Sequence, residues 1–264
     1  KKVIEKFNPS KIPLYTVYTE STHSDTMDKL MTYAEGRGHD AILFLDIDCV
    51  PLNDCAIDYM FTEAYKGKLI GDAIMCWWGA PIDVNQHASL ALKTALEMEI
   101  ALEELNNELI KEGKPPLHVG AGISTGNVFV GNMGSSQRFD YTCLGDHVNL
   151  ASRLEGQSKP YGVKIVLGPL TAEQVKDEYP VVELDCIAVK GKKDGVKIYT
   201  LGQAITQEQF LDAYYNGDWD KAIKIAEEAI QNESELKHYY ENMLERLKEG
   251  KPSTWDGVFR ATSK

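Results

Sequence analysis

Between residues 85 and 134 the hydrophobic period of the chain changes from helical to strand-like, and that change restricts the fold to the mixed α and β classes. Ala91, Ala95, Met98, Leu102, Leu105 and Leu109 recur at alternating steps of four and three residues, which draws one apolar stripe on a helix over 85–112. Gly113 and the Pro115-Pro116 pair end that helix. From Leu117 to Gly134 the pattern reads strand–turn–strand, LHVGAGIST and then NVFVGNM. A stripe of this kind belongs to a core or a dimer seam rather than to a cofactor box.

On either side the same rules extend the pattern. Residues 14–19 (LYTVYT) read as a strand, and Ser24 or Asp25 caps a helix to about Ala34. Ala41 to Ile47 is a strand apolar enough for burial on both faces; it stops at Asp48, before a turn marked by Pro51, Asn53 and Asp54. A helix from about Cys55 to Tyr65 leads through Gly67 into a short apolar segment, Leu69 to Trp78. Further on come a helix at 146–156, a strand at 163–167, a short helix near 171–177, and strands at 181–190 and 196–201.

Beyond Leu201 the composition shifts. Thr206 with Gln209 forms a capping box that opens a helix to about Asn216, and Gly217-Asp218 breaks it. A second helix is expected over Trp219 to Gln231 and a third from about Ser234 to Lys248. Trp255 and Phe259, in the final PSTWDGVFRATSK, are expected to pack back on the body. The sum is an α+β or α/β sandwich with a C-terminal helical appendage over 203–264.

The charge balance narrows the function classes. The chain of 264 residues carries 28 Lys and Arg against 40 Asp and Glu, a net charge of −12, which leaves no basic face for nucleic acid. No run approaches the roughly 18 apolar residues needed to span a bilayer, so no membrane contact is expected within the chain. The first residue is Lys1 and no leader comes after it, which reads as a fragment or processed chain. Five scattered cysteines without a C-x-x-C pair fit reduced structural thiols in a cytoplasmic compartment, not a disulfide frame or a zinc site.

Three motifs mislead. Gly122-Ile-Ser124-Thr-Gly126 matches a nucleophile elbow, but an elbow needs a helix after it and a strand is expected here, so Ser124 reads as a turn residue. Gly120, Gly122 and Gly126 have the wrong spacing for a dinucleotide fingerprint. The six histidines show no metal-ligand pairing and read as surface or packed residues.

The remaining polar residues suit phosphoryl chemistry. Asp46 ends a buried strand, and Asp72 comes after a tight turn at Gly71. Two carboxylates converging from strand ends can hold Mg²⁺, although either alone is more often a turn or cap residue. Asn149 and Arg153 stand four apart and so share one helix face, a grip for a ribose and a phosphoryl group or else a plain solvent-facing pair. Lys190 and Lys192 add cations in a turn, suited to polyphosphate and equally to solvent.

Three long segments make the pattern specific: KLIGDAIMCWWGAP (68–81), HVGAGISTGNVFVGNMGSSQRFDYTCLGDHVNLASRLEG (118–156) and VKGKKDGVKIYTLG (189–202). They resemble the catalytic domain of class III adenylate/guanylate (nucleotidyl) cyclases, and the tail WDGVFRATSK is similar to the segment C-terminal to that domain in bacterial membrane-anchored adenylate cyclases. The resemblance implies a ferredoxin-like βαβ sandwich of the cyclase type over 68–202. It implies Asp46 and Asp72 as the carboxylates for two Mg²⁺ or Mn²⁺ ions per site. Lys68 and Thr142 fall on the base-reading positions, in the combination of one bacterial subset that uses ATP rather than GTP. Asn149 would orient the ribose, Arg153 would stabilise the transition state, and Lys190 would hold the triphosphate. A homodimer with shared sites is implied, acting in intracellular signal transduction.

The front of the chain departs from that pattern. Asp46 and Asp72 lie only 26 residues apart, where the family interval is longer, as if one helix were missing. Residues 14–70, ending in Asp46-Ile-Asp48, are also similar to the opening of a sugar-nucleotide glycosyltransferase, whose D-x-D motif binds Mn²⁺ and diphosphate. Residues 1–67 therefore read as a βαβ segment of separate origin fused to the cyclase domain, with a natural deletion as the competing view. Three functions are expected in descending order: an adenylate cyclase converting ATP to 3′,5′-cyclic AMP, a non-catalytic cyclase-homology module that binds nucleotide, and glycosyl transfer by the first segment.

Overall fold

The computed structural model describes residues 38–47, 66–70, 73–80, 83–135, 138–188, 195–232 and 234–260. The strand expected at 14–19 and the helices expected at 24–34 and 55–65 lie outside the described residues. So do Asp48, Asp72 and Lys190.

Among the described residues eight strands form one mixed sheet: β1 (Gly38–Ile47), β2 (Lys66–Ile70), β3 (Ala73–Trp78), β4 (Val119–Ser135), β5 (Arg138–Leu144), β6 (Ile165–Leu167), β7 (Val181–Ile187) and β8 (Val196–Leu201). Their order is β2-β3-β1-β4-β6-β8-β7, with β5 paired to the far end of β4. The β4–β6 pair is parallel and the others are antiparallel. Helix α1 (His87–Lys111) joins β3 to β4, so β2-β3-β1-β4 is the ferredoxin-like arrangement. The apolar run of β1 now has its reason. It lies between β3 and β4, two strands whose opposite faces are both packed against helices, so neither face of this part of the sheet needs to be polar.

Side chains alternate across this sheet and build two layers. On one face Ile74, Cys76 and Trp78 with Ala121 and Ile123 meet Ala88, Ala91, Leu92, Ala95 and Met98 of α1. The stripe of α1 is buried only that far. Its second half, Leu102 and Leu105, lines a cavity of about 790 Å³ together with Leu117, Val119 and Ile165. On the other face Met75, Trp77, Val128, Val130 and Cys143 meet Ala151 of α2 (Asp146–Glu155). A one-turn helix α3 (Ser158–Tyr161) and a short helix α4 (Pro169–Val175) complete this part.

The C-terminal helices α5 (Ala204–Tyr215), α6 (Trp219–Gln231) and α7 (Lys237–Lys248) share one core with the sheet. Phe210, Tyr214, Tyr239, Tyr240 and Met243 pack with Leu150 and Leu154 of α2, Val182, Leu184 and Ile187 of β7, and Ile198 of β8. Trp255 and Phe259 pack against the same core. Trp255 donates its indole N–H to the carbonyls of Tyr214 and Tyr215, at 3.1 and 3.2 Å.

Four local expectations need correction. Leu117 to Gly134 holds no turn: 119–135 is one strand, and Ser124 is a buried strand residue opposite Ile42. The irregularity there is a register shift between the His39–Val128 and Ala41–Thr125 pairs, where Gly126 and Asn127 of β4 stand opposite the single residue Asp40 of β1, so the extra residue lies in β4 without ending it. Leu69 to Trp78 splits into β2 and β3, paired through Ile70 and Ala73. The capping box at Thr206 does not form; α5 starts at Ala204, and Gln207 instead ties its first turn to the Glu183 carbonyl at 2.8 Å and to Tyr239 Oη at 3.0 Å. Strand β5, RFDYTCL, is an element that the sequence pattern does not signal.

Candidate active site

The site residues sit on four elements. Asp46, next to last in β1, is paired on one side with Ala73 of β3 and on the other with Gly120 of β4. Asp72 is outside the described residues; the residue paired with Asp46 on this side is Ala73, the one that comes after Asp72 in the sequence. Lys68 lies on β2 opposite Met75. Thr142 is half-buried on β5, opposite Gly131. Strand β5 meets β3, the strand that pairs with β2, through the next side chain along, where the Cys143 thiol donates to Met75 Sδ at 3.8 Å.

Asn149 and Arg153 occupy consecutive turns of α2, and both are exposed. Leu150, Ala151 and Leu154 supply the opposite, buried face. The four-residue spacing therefore places amide and guanidinium on one solvent-facing side of a helix whose back is anchored.

Glycine and a buried hydrogen bond set the position of that helix. A Cβ on Gly122 would stand 2.2 Å from the Ala151 carbonyl oxygen and 2.3 Å from the Glu155 nitrogen, so α2 crosses β4 in backbone contact. A Cβ on Gly126 would stand 2.1 Å from His147 Nε2, and its φ of +155° is itself unfavourable to other residues. His147 Nδ1 and Ser124 Oγ share a hydrogen bond of 3.1 Å, which ties the first turn of α2 to the strand. Ser124, His147, Gly122 and Gly126 are thus positioning residues. Their signal in the sequence is the G-x-S-x-G run, which serves helix packing and not a nucleophile.

The thiols near the site are inert. Burial pushes Cys76 up to about 12, and Cys76 and Cys143 are both buried and unbridged. For metals, oxygen donors of the Asp46 and Asp72 type suit hard divalent cations. Among the described residues no cluster of three or more His, Cys, Asp or Glu is assembled. No helix among them is long and apolar enough to cross a membrane.

Comparison with known families settles the framework. The model of the adenylate and guanylate cyclase catalytic domain matches residues 55–203, more than half of the chain. The protein belongs to the nucleotidyl cyclase family. Adenylate cyclase 1 of Rhizobium meliloti is 36% identical over 146 residues, covering 53% of this chain and 22% of that protein. The adenylate cyclase of Anabaena cylindrica is 35% identical over 139 residues, covering 50% of this chain and 27% of that protein. The chain thus spans about a quarter of the length of these relatives. Among solved structures, the adenylyl cyclase CyaB of P. aeruginosa superposes with a TM-score of 0.56 at 30% identity, covering 64% of this chain and 96% of that one. The guanylyl cyclase Cya2 gives 0.51 at 27%, covering 64% and 94%. The nucleotidyl cyclase match begins at residue 55, after β1, yet β1 is built into the middle of the cyclase sheet.

Proposed function

We propose that the domain is an adenylate cyclase, converting ATP to 3′,5′-cyclic AMP and pyrophosphate in a homodimer with two shared sites. The observation supporting this reading is the register of Asp46 with Ala73, the residue that comes directly after Gly71-Asp72 in the sequence, across a short intervening segment. Adenylate cyclases among the relatives, and Lys68 with Thr142 at the base-reading positions, favour ATP over GTP.

In this reading Lys68 and Thr142 meet the adenine, Asn149 orients the ribose, and Lys190 holds the triphosphate. The ribose 3′-oxygen loses its proton and bonds to the α-phosphorus while the bond from that phosphorus to the bridging oxygen breaks. Arg153 neutralises charge developing on the α-phosphoryl oxygens. Asp46 and Asp72 would hold Mg²⁺ or Mn²⁺, two per site, which supply acidity to the 3′-hydroxyl and charge compensation to the departing diphosphate. Residues 68–202 together with β1 form the catalytic unit, and 203–264 is its extension.

A shared site needs a second copy, and β4 and β5 offer a surface for it. Phe129 and Leu144 are cross-strand partners, 59% and 43% exposed, and an apolar pair of this size left in solvent suits a self-complementary interface. Mass spectrometry of the products from ATP and from GTP, with Mg²⁺ or Mn²⁺ at dimerising concentration, tests the assignment. Cyclic AMP is expected. Nucleotide binding without turnover would establish the non-catalytic module instead, and cyclic GMP as the main product would reverse the substrate.

A further inference from the structure

Ser124 and His147 hold the first turn of α2, whereas its last turn, which carries Arg153, is held from the C-terminal extension. Past Gly156 the chain reverses into β6 through the one-turn α3 and Gly162, whose φ is +63°. The amides of Gln157, Tyr161, Gly162 and Val163 donate to the carbonyls of Leu154, Gln157, Lys159 and Ser158 at 2.9–3.1 Å, so the reversal is one tight joint. Helix α7 lays three residues, four apart, along this joint: His238, Asn242 and Arg246. A Cβ on Gly162 would stand 2.9 Å from the carbonyl carbon and oxygen of His238, so the joint crosses the first turn of α7 in backbone contact. The Asn242 side-chain amide donates to the Pro160 carbonyl at 3.1 Å. Arg246 donates to Tyr161 Oη at 3.2 Å, and both reach the buried carboxylate of Asp185, at 2.7 and 2.5 Å. The buried back of α2, Leu150 and Leu154, shares one core with Tyr239, Tyr240 and Met243 of the same α7.

We infer that α7 is a clamp on the α2–α3 joint that fixes the last turn of α2, with Asn242, Tyr161 and Arg246 as positioning residues for Arg153. Pro160 comes seven residues after Arg153, and a helix of 10 residues anchored only at its start frays at its end. A guanidinium on a frayed turn must be ordered during the reaction, whereas one on a clamped turn is aimed beforehand and costs no reorganisation when charge develops. The C-terminal extension therefore bears on turnover rather than on substrate affinity. This rests on the reading above that Arg153 meets the α-phosphoryl oxygens.

The test uses the full chain with two readouts, amide hydrogen exchange followed by mass spectrometry and steady-state kinetics on ATP. Asn242→Ala is expected to speed exchange at residues 156–163 about three- to tenfold, the range of one lost hydrogen bond, and to leave the His147 end of α2 unchanged. The kcat should fall by a similar factor at nearly constant KM, and the fall should vanish in an Arg153→Ala background. Asn242→Gln, which keeps the amide donor, should recover most of both, whereas Asn242→Leu, of similar size without a donor, should not. Tyr161→Phe, which removes the hydroxyl and keeps the ring, should shift both readouts in the same direction, and it stands in if the Asn242 variants do not fold. Unchanged exchange at 156–163, faster exchange with unchanged kcat, or the same fall in kcat without Arg153 would overturn the inference. A parent chain that makes no cyclic nucleotide would sink the cyclase reading alone, and the exchange readout then decides by itself whether α7 clamps the joint.

Discussion

The Asp185 carboxylate and the Arg246 guanidinium form a buried ion pair, Oδ2 to Nη1 at 2.7 Å, that joins strand β7 of the cyclase sheet to helix α7 of the C-terminal extension. Asp185 is fully buried and accepts two further hydrogen bonds, from Tyr161 Oη at 2.5 Å and from the Cys186 amide at 2.7 Å. Arg246 stacks over the Tyr161 ring at 4.8 Å. One carboxylate therefore connects α3, β7 and α7. Removing Arg246 leaves that charge without its counterion. Arg246→Ala is expected to lower the unfolding free energy by about 3–5 kcal/mol in denaturant titration, whereas Asp185→Asn, which keeps much of the hydrogen bonding, should cost clearly less. Equal losses in the two variants would contradict this ranking.

The same carboxylate makes stability depend on pH. Burial raises Asp185 from 3.8 to about 6, and the favourable contacts of Arg246, Tyr161 and the Cys186 amide only partly offset it. Between those two values the folded chain keeps a proton that the unfolded chain has released. The contribution of Asp185 is therefore most favourable below pH 3.8 and is lost as pH rises through about 6. Denaturation midpoints of the parent and of Asp185→Asn, compared across that window, should diverge in favour of the variant as pH increases. A constant difference would show that Asp185 does not titrate there.

Helix α2 carries the two exposed candidates and should be sensitive to bulk beneath it. The His147 ring occupies the space where Gly126 would bear a Cβ, so Gly126→Ala must displace the ring and break its hydrogen bond to Ser124. Adding His147→Ala to that variant removes the clash. A double-mutant cycle on unfolding free energy is expected to give a favourable coupling of about 0.5–3 kcal/mol, because the two positions contend for one volume. Strict additivity would place the strain of Gly126→Ala in its φ alone.

How much of this is legible in the sequence depends on the range of the interaction. The stripe of α1, the Asn149/Arg153 spacing and the limits of α6 are local patterns, and the helices form where periodicity sets them. Strand β5 escapes such a reading because RFDYTCL mixes charged and apolar residues and is stabilised only by pairing with β4. The pairing of Asp46 with Ala73 is non-local, so the short interval between the aspartates suggests a defect that only the sheet register addresses. Ser124 and His147, 23 residues apart, meet for the same reason. Half of the candidate site is thus readable as spacing, and the rest requires strands to find their partners.

The shared-site reading makes a prediction that a site within one chain does not. Arg153→Ala should lower the rate by about 10²–10³, the usual loss for a transition-state charge contact, without moving the melting temperature, since Arg153 is exposed. Asp72→Ala should abolish activity through the opposite half of the site. In a mixture of the two inactive variants, mixed dimers carry one doubly damaged site and one intact site, so equal amounts should recover about a quarter of the parent rate under random pairing. Phe129→Asp in both variants should abolish that recovery by separating the copies, seen as a monomer in sedimentation velocity. Mixing without any recovery, while each variant remains dimeric, would place both halves of the site in one chain.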